Sequence, residues 1–470
     1  MQKTSMRRFG ALLAGLAIVA ASCGDDKKDS SADTTTAAAV ETTAAAVETT
    51  AAAVETTVAD TTPAASGNEM AGMKGTTPLV ELSDDFKTRV LSTPTGAANG
   101  GLTDFNYAGE TYDAIINIAL AAEIAGTDGS AMADEIVGVT KDGEKCTTYA
   151  DCLALVKAGT DIDYDGYSGP ITMNGNGEPL QASYGVLVFG EGNQLDDSLL
   201  TFITADAPAS AVKPLQTTDV PREGDGVLAF GGLLPQTGSL AFLGPPEFAG
   251  AELAIADINA AGGALGKPVT WSPGDSGDTS TDIASQTADR LIGEGVDAII
   301  GAASSSVTLT VIDKITAAGV VQFSPANTSL KLVDYPDHAL YFRNAPPDDL
   351  QGNVIAQLVI EDGNQSAYIL ALDDAYGTSL AEVIEAGLTA AGVEVLGTKI
   401  YNPAPETVFD SDIDEIVAAD PDAIILITFD EGSRILKTMV EKGIGPQNKM
   451  VYGCDGNMGN ALGENFNAGK

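Results

Sequence analysis

Two short segments concentrate hydroxyl groups beside glycine and other small residues: Gly301-Ala-Ala-Ser-Ser-Ser306 and Ser324-Pro-Ala-Asn-Thr-Ser329. Each follows an apolar run, Asp297–Ile300 and Val320–Phe323, of the length of a buried parallel strand. Hydroxyls and free backbone N–H groups at the start of a helix suit a carboxylate, because the helix N-terminus carries partial positive charge. Between the two segments, Val307–Ala318 puts apolar residues at 307, 311, 312 and 315 on one helical face, and Gly319 ends the helix. In a parallel sheet this succession brings both loops to the carboxyl ends of their strands, where open α/β sheets bind ligands. The same residue types serve as ordinary helix caps, so the segments read equally as structural turns.

Other chemistries fit less well. The one histidine, His338, lies in YPDHALYF, remote in sequence from either hydroxyl loop, and a Ser–His–Asp triad is hard to build from it. Asp161-Ile-Asp-Tyr-Asp-Gly166 opens with calcium-loop spacing, but the twelfth position needs a bidentate Glu and holds Thr172, after Pro170; it reads as a turn. Gly262-Gly-Ala-Leu-Gly-Lys-Pro268 departs from a phosphate loop in spacing and puts Pro268 where Ser or Thr belongs; it reads as a helix C-cap. Asp373 and Asp374 are adjacent, and adjacent residues on a strand end point apart. The expectation is a binding protein and not an enzyme, with no cofactor and no metal.

The net charge of −42 argues against nucleic acid and anionic membrane surfaces as partners. Met1–Ser22 reads as an export signal: Lys3, Arg7 and Arg8 precede the apolar Phe9–Ala21. Val19-Ala-Ala-Ser-Cys23 resembles a bacterial lipobox, which implies lipidation of Cys23 and a protein anchored to the outer face of the cytoplasmic membrane without spanning it. Residues 23–65 are rich in Ala, Thr and Glu, and Ala-Ala-Ala-Val-Glu-Thr-Thr runs three times from 37 to 57. Such a segment buries too little to offset ordering and reads as a disordered tether. In an exported chain Cys146 and Cys152, six apart, read as a local disulfide, and Cys454 as a small buried thiol.

From 66 to 190 the pattern predicts a helix after Ser83, a nearly all-apolar helix at Tyr107–Ala125, a helix at Tyr149–Ala158 and a strand at Ala182–Phe189. Residues 191–224 show no period and read as a flexible linker. From Asp225 strands and helices alternate regularly as far as a strand at 449–452, and the chain ends in a Gly- and Asn-rich loop.

The segments GLLPQTGSLAFLGPPEFAGAELAIADINAAGG, IIGAASSSVT, FSPANTS, YFRNAPPDDLQG, DDAYGTS and YGCDGNMGN resemble the amino-terminal two-thirds of type I periplasmic binding proteins, the branched-chain amino acid (Leu/Ile/Val) receptor family of ABC importers. AGMKGTTPLVELSDDFKTRV, NYAGETYDAIINIALAAE, DYDGYSGPITMNGNGEP and ASYGVLVFG resemble the carboxyl-terminal third of the same family, yet here they come first. Laid end to end, 225–470 followed by 66–190 would make one receptor, so the order implies a circular permutation joined through 191–224, with a fragment of a tandem duplication or a gene-assembly error as the rival readings. A flexible chain of that length reaches roughly 30 Å, enough to join two surface points. The resemblance implies an α/β fold of two Rossmann-like lobes with mostly parallel sheets and a three-strand hinge. Lobe one would hold 225–344 plus about 82–169, and lobe two 345–470 plus about 66–81 and 170–190.

In that family the ligand lies between the lobes. By residue-for-residue resemblance Ser305 and Thr328 would bind the carboxylate, and the Ala326 carbonyl and Asp455 the ammonium, with Asp455 one methylene shorter than the usual Glu. Tyr107 and Phe429 would cover the side chain, with Leu243 and Phe242 near the mouth. The implied function is capture of a small amino acid, neutral or branched-chain, for delivery to ABC permease subunits. A sensing ectodomain for an amide or small carboxylate would use the same cleft.

Overall fold

A computed structural model describes residues 67–469 except 405 and 406, all within one unit, Pro63–Lys470. The export signal, Cys23 and the tether lie outside the described residues. In chain order the elements begin with β1 (Lys74–Pro78), α1 (Asp84–Leu91), α2 (Ala108–Ala125), α3 (Ala133–Ile136), β2 (Glu144–Cys146), α4 (Tyr149–Lys157), β3 (Ile162–Tyr164), β4 (Gln181–Val188) and β5 (Thr201–Asp206). They continue with β6 (Ala229–Leu233), α5 (Gly244–Ala260), β7 (Thr270–Ser272), α6 (Ile283–Glu294), β8 (Ala298–Gly301), α7 (Ser305–Ala317), β9 (Val321–Ser324) and β10 (Tyr341–Arg343). The last set is α8 (Asp348–Glu361), β11 (Ser366–Leu372), α9 (Ala375–Ala390), β12 (Glu394–Tyr401), α10 (Asp410–Ala419), β13 (Ala423–Ile427), α11 (Gly432–Glu441), β14 (Met450–Gly453) and α12 (Asn460–Ala468).

These form two lobes. Lobe one is built on a five-stranded sheet, β10-β9-β8-β6-β7, with every pair parallel. Its central strands β8 and β9 are buried on both faces, as crossover helices demand. Helix α2 packs against α5 in this lobe and is buried almost all round, which explains why its sequence is apolar on every side. Lobe two is built on a seven-stranded sheet, β12-β11-β13-β14-β1-β4-β5. Strands from the two ends of the described chain meet here: β1 runs parallel to β14, Lys74 opposite Tyr452, and antiparallel to β4. The chain passes between the lobes at 79–83, 165–180, 207–228 and 344–347. Arg343, fully buried at the end of β10, ties two of these passages by pairing with Glu178 at 2.5 Å and donating to the Asn327 and Ser329 carbonyls.

Most expected elements lie within two residues of their predicted bounds, and Ser83 caps α1 by accepting from the Phe86 N–H. The connection 191–224 is a correction: it is no loose linker. Its Thr201–Asp206 portion extends the lobe-two sheet antiparallel to β4, and its end is fastened to lobe one by Arg222, which pairs with Asp297 at 2.6 Å and exchanges hydrogen bonds with Ser130. As a largely exposed edge strand, β5 carries no buried stripe to betray it. The expected terminal loop is also a helix: α12 is poor in helix formers but buries Leu462 and Phe466, one turn apart, and Asp104 grips Asn460 at its start. Asp163 and Asp165 of the rejected calcium loop take Lys145, and Cys146 is bonded to Cys152. Among the described residues no helix is long and apolar enough to cross a membrane, and no group of three or more His, Cys, Asp or Glu could hold a metal.

Candidate functional site

The two hydroxyl loops do lie side by side at the carboxyl ends of β8 and β9. At Gly301 a side chain would meet the Leu233 carbonyl, so only glycine lets β8 turn out of the sheet here. Ser304 caps α7 by accepting from the Val307 N–H. Ser324 Oγ donates to the Ala302 carbonyl at 2.7 Å and accepts from the N–H groups of Ala326 and Asn327. Asn327 then staples the loops, donating to the Ala302 and Ala303 carbonyls while Tyr341 donates to its Oδ1. This framework leaves Ser305 Oγ facing the Thr328 and Ser329 N–H groups at 3.3 Å. Thr328 Oγ1 is buried and makes no well-formed hydrogen bond.

Lobe two supplies the opposite charge. Asp455 follows β14, and both its oxygens are held by phenols: Tyr107 donates to Oδ2 at 2.7 Å and Tyr376 to Oδ1 at 2.7 Å. Tyr107 starts α2 in lobe one with a left-handed backbone, φ 61°, a conformation unusual for a bulky residue and of the kind found where a side chain must be aimed. Tyr376 belongs to α9 of lobe two, stacks on Phe429 at 5.5 Å and accepts from the Gly456 N–H. Burial pushes the Asp455 carboxyl up, and the two phenols pull it back; the same burial and the nearby carboxylate push both phenols well above their usual range. Asp348, at the start of α8, is pushed up to about 7 by burial; it feels the Ser379 and Thr328 hydroxyls without a well-aligned bond to either.

Ser305, Ala326, Thr328, Asp455, Tyr107, Phe429 and Leu243 line one cavity of about 20 Å3 together with Leu240, Ala303, Ser304, Tyr376 and Gly456. Phe242, expected near the mouth, is the exception: it lines a neighbouring crevice with Phe429, Asp430 and Gly459, because the turn into α5 directs Leu243 inward instead. Tyr376 was missed although the DDAYGTS motif contains it; its hydroxyl needs the fold to bring it to Asp455, seventy-nine positions away. The rims also touch: Ser306 Oγ donates to Asp374 Oδ2 at 3.2 Å and accepts from the Ala375 N–H at 2.8 Å. His338 lies outside this cavity, paired with Asp219.

Two α/β lobes on a multi-strand hinge, closed over polar groups of opposite character, define a two-lobed binding protein. A sequence profile described as periplasmic binding protein matches residues 228–469, and the chain belongs to that family. It is 29% identical over 210 residues to a Leu/Ile/Val-binding protein, BraC3, of Rhizobium johnstonii, covering 44% of this chain and 53% of that one. It is 33% identical over 162 residues to a Leu/Ile/Val/Thr-binding protein of Salmonella typhimurium, covering 34% and 44%. The chain thus spans about half the length of the curated relatives it matches. Among solved structures, the branched-chain amino acid transporter substrate-binding protein LivJ of Streptococcus pneumoniae with isoleucine aligns at a TM-score of 0.46 and 26% identity, over 51% of this chain and 67% of that one.

Proposed function

We propose that the protein is an exported solute-binding lipoprotein, anchored through Cys23, that closes its lobes on a small amino acid and delivers it to an ABC importer. The observation that carries this is the cavity itself: hydroxyl and N–H donors around Ser305 and Thr328 face the Asp455 carboxylate across a space walled by both lobes. A zwitterion needs donors at one end and an anion at the other, since an unpaired buried charge is costly. At about 20 Å3 the closed cavity has room for little more than a water, so an amino acid enters only when the lobes part and the Tyr107–Asp455 bond opens.

We read the order of segments as a circular permutation of this family. Support comes from the parallel pairing of β1 with β14, from the packing of α2 on α5, and from the family match, which begins only at residue 228.

The test is a thermal-shift screen of amino acids on the purified protein. A ligand that binds the folded state alone raises the melting temperature. Asp455→Ala should abolish the shift; a shift that survives unchanged takes Asp455 out of the site.

A further inference from the structure

The inner cavity continues outward. Leu240, Ser304 and Phe429 line it and also line a chamber of about 750 Å3 between the lobes, a volume in the range of small-molecule sites. The chamber wall carries the carboxyls of Asp278, Asp373, Asp374, Asp430 and Glu431. Against them stands the guanidinium of Arg434, which sits over the Phe409 ring at 5.3 Å and donates to the Thr407 carbonyl. Carboxylates at the rim of so acidic a chain are by themselves a solvated face.

Glu431 is different. It is 3% exposed, and its Oε1 accepts from the Tyr401 hydroxyl at 2.5 Å and from the Phe429 N–H at 3.1 Å. Its Oε2 is buried and has no hydrogen-bond partner. An orphan carboxylate oxygen costs more than a satisfied one, so a donor reaching this wall gains what the chain leaves unspent. The Phe429 N–H bond also fixes Glu431 relative to the ring that bounds the inner cavity.

We propose that the ligand is an amino acid with a basic side chain. Its α-groups sit in the inner cavity, its aliphatic stem passes Leu240 and Phe429, and its terminal ammonium or guanidinium meets Glu431. Long basic side chains suit such a path, apolar along the stem and charged at the tip. This rests on the reading of the inner cavity as a zwitterion site.

Calorimetric titration of the purified protein with L-lysine, L-arginine and L-norleucine tests it, since norleucine has lysine's stem without the amine. Lysine or arginine should bind roughly tenfold or more tighter than norleucine, a gap of about 1.4 kcal/mol. Glu431→Gln should erase that ratio and leave norleucine unchanged, while Asp430→Asn, an exposed neighbour, keeps it. Should Glu431→Gln not fold, Glu431→Asp withdraws the charge by one methylene and must lower the ratio. Norleucine binding as well as lysine would overturn the proposal and leave the zwitterion reading standing. Binding of none of the three would overturn it too, and the thermal-shift screen of the remaining amino acids would decide the zwitterion reading separately. A lysine preference that survives Glu431→Gln but vanishes at high salt would overturn it too, because diffuse charge at the mouth would then be its source.

Discussion

Two pairs of buried carboxyl groups, in different parts of the molecule, are treated in opposite ways. One pair, at the cleft and hinge, is engaged: Asp455 receives a phenol on each oxygen, and Glu178 receives the Arg343 guanidinium. The other pair is Glu110 and Glu247 at the α2–α5 interface of lobe one, where Asp113 of the same helix α2 is by contrast held by Tyr164, Tyr167 and Ser168. Glu247 is fully buried, with neither oxygen hydrogen-bonded, and Glu110 lies close enough for the two charges to repel. Burial pushes Glu110 up to about 8 and Glu247 well above the usual carboxyl range. Burial alone therefore does not mark a functional acid. Asp455 and Glu178 are fitted with donors, whereas burial pushes Glu110 and Glu247 toward the protonated form.

The sharpest way to probe the engaged side is the hinge. Arg343→Met leaves Glu178 buried without its cation and should cost about 3–5 kcal/mol in urea unfolding. Replacing both partners with apolar residues should recover most of that loss, because the orphan charge is gone. A single substitution costing under about 1 kcal/mol would show that the pair does not hold the hinge.

The unengaged side should show itself as a pH slope. In the unfolded chain Glu110 and Glu247 ionise near 4.5, while in the fold Glu110 keeps its proton to about 8 and Glu247 well past the usual range. Between those values the folded state binds more protons than the unfolded one, so stability falls as pH rises. Each group contributes a slope of about 1.4 kcal/mol per pH unit across its window. Glu110→Gln and Glu247→Gln should each flatten the decline. A melting temperature constant from pH 5 to 8 in the parent protein would mean these acids are ionised and partnered after all.

The same contrast explains what the sequence could and could not disclose. Periodicity located the parallel strands and the buried helix α2, because burial on both faces writes itself as an apolar run. The hydroxyl loops were legible from Ser305 and Thr328, as they follow their strands directly in the chain. Strand β5 and helix α12 were not: one is an exposed edge, and the other is stabilised by Leu462 and Phe466 docking, against its own composition. Nor could local pattern separate Asp455 from Glu247. Each is a lone acid in its segment, and only the fold decides that two phenols reach the first and none the second.

The smallest effect should come from dividing those two phenols. Tyr107 reaches Asp455 from lobe one, so its hydrogen bond exists only when the lobes are closed; Tyr376 reaches it from within lobe two and persists when they part. Tyr107→Phe should therefore weaken ligand binding by about 1–2 kcal/mol and shift the ligand-free protein toward the open form, visible as a larger radius of gyration in solution scattering. Tyr376→Phe should weaken binding to a similar degree but leave the open–closed balance where it was, since that bond is made in both forms. If the two variants expand alike, the Tyr107–Asp455 contact is no closure contact. Asp455 would then be held by lobe two alone, and its contrast with Glu247, which nothing holds, would lie in its donors and not in the motion of the lobes.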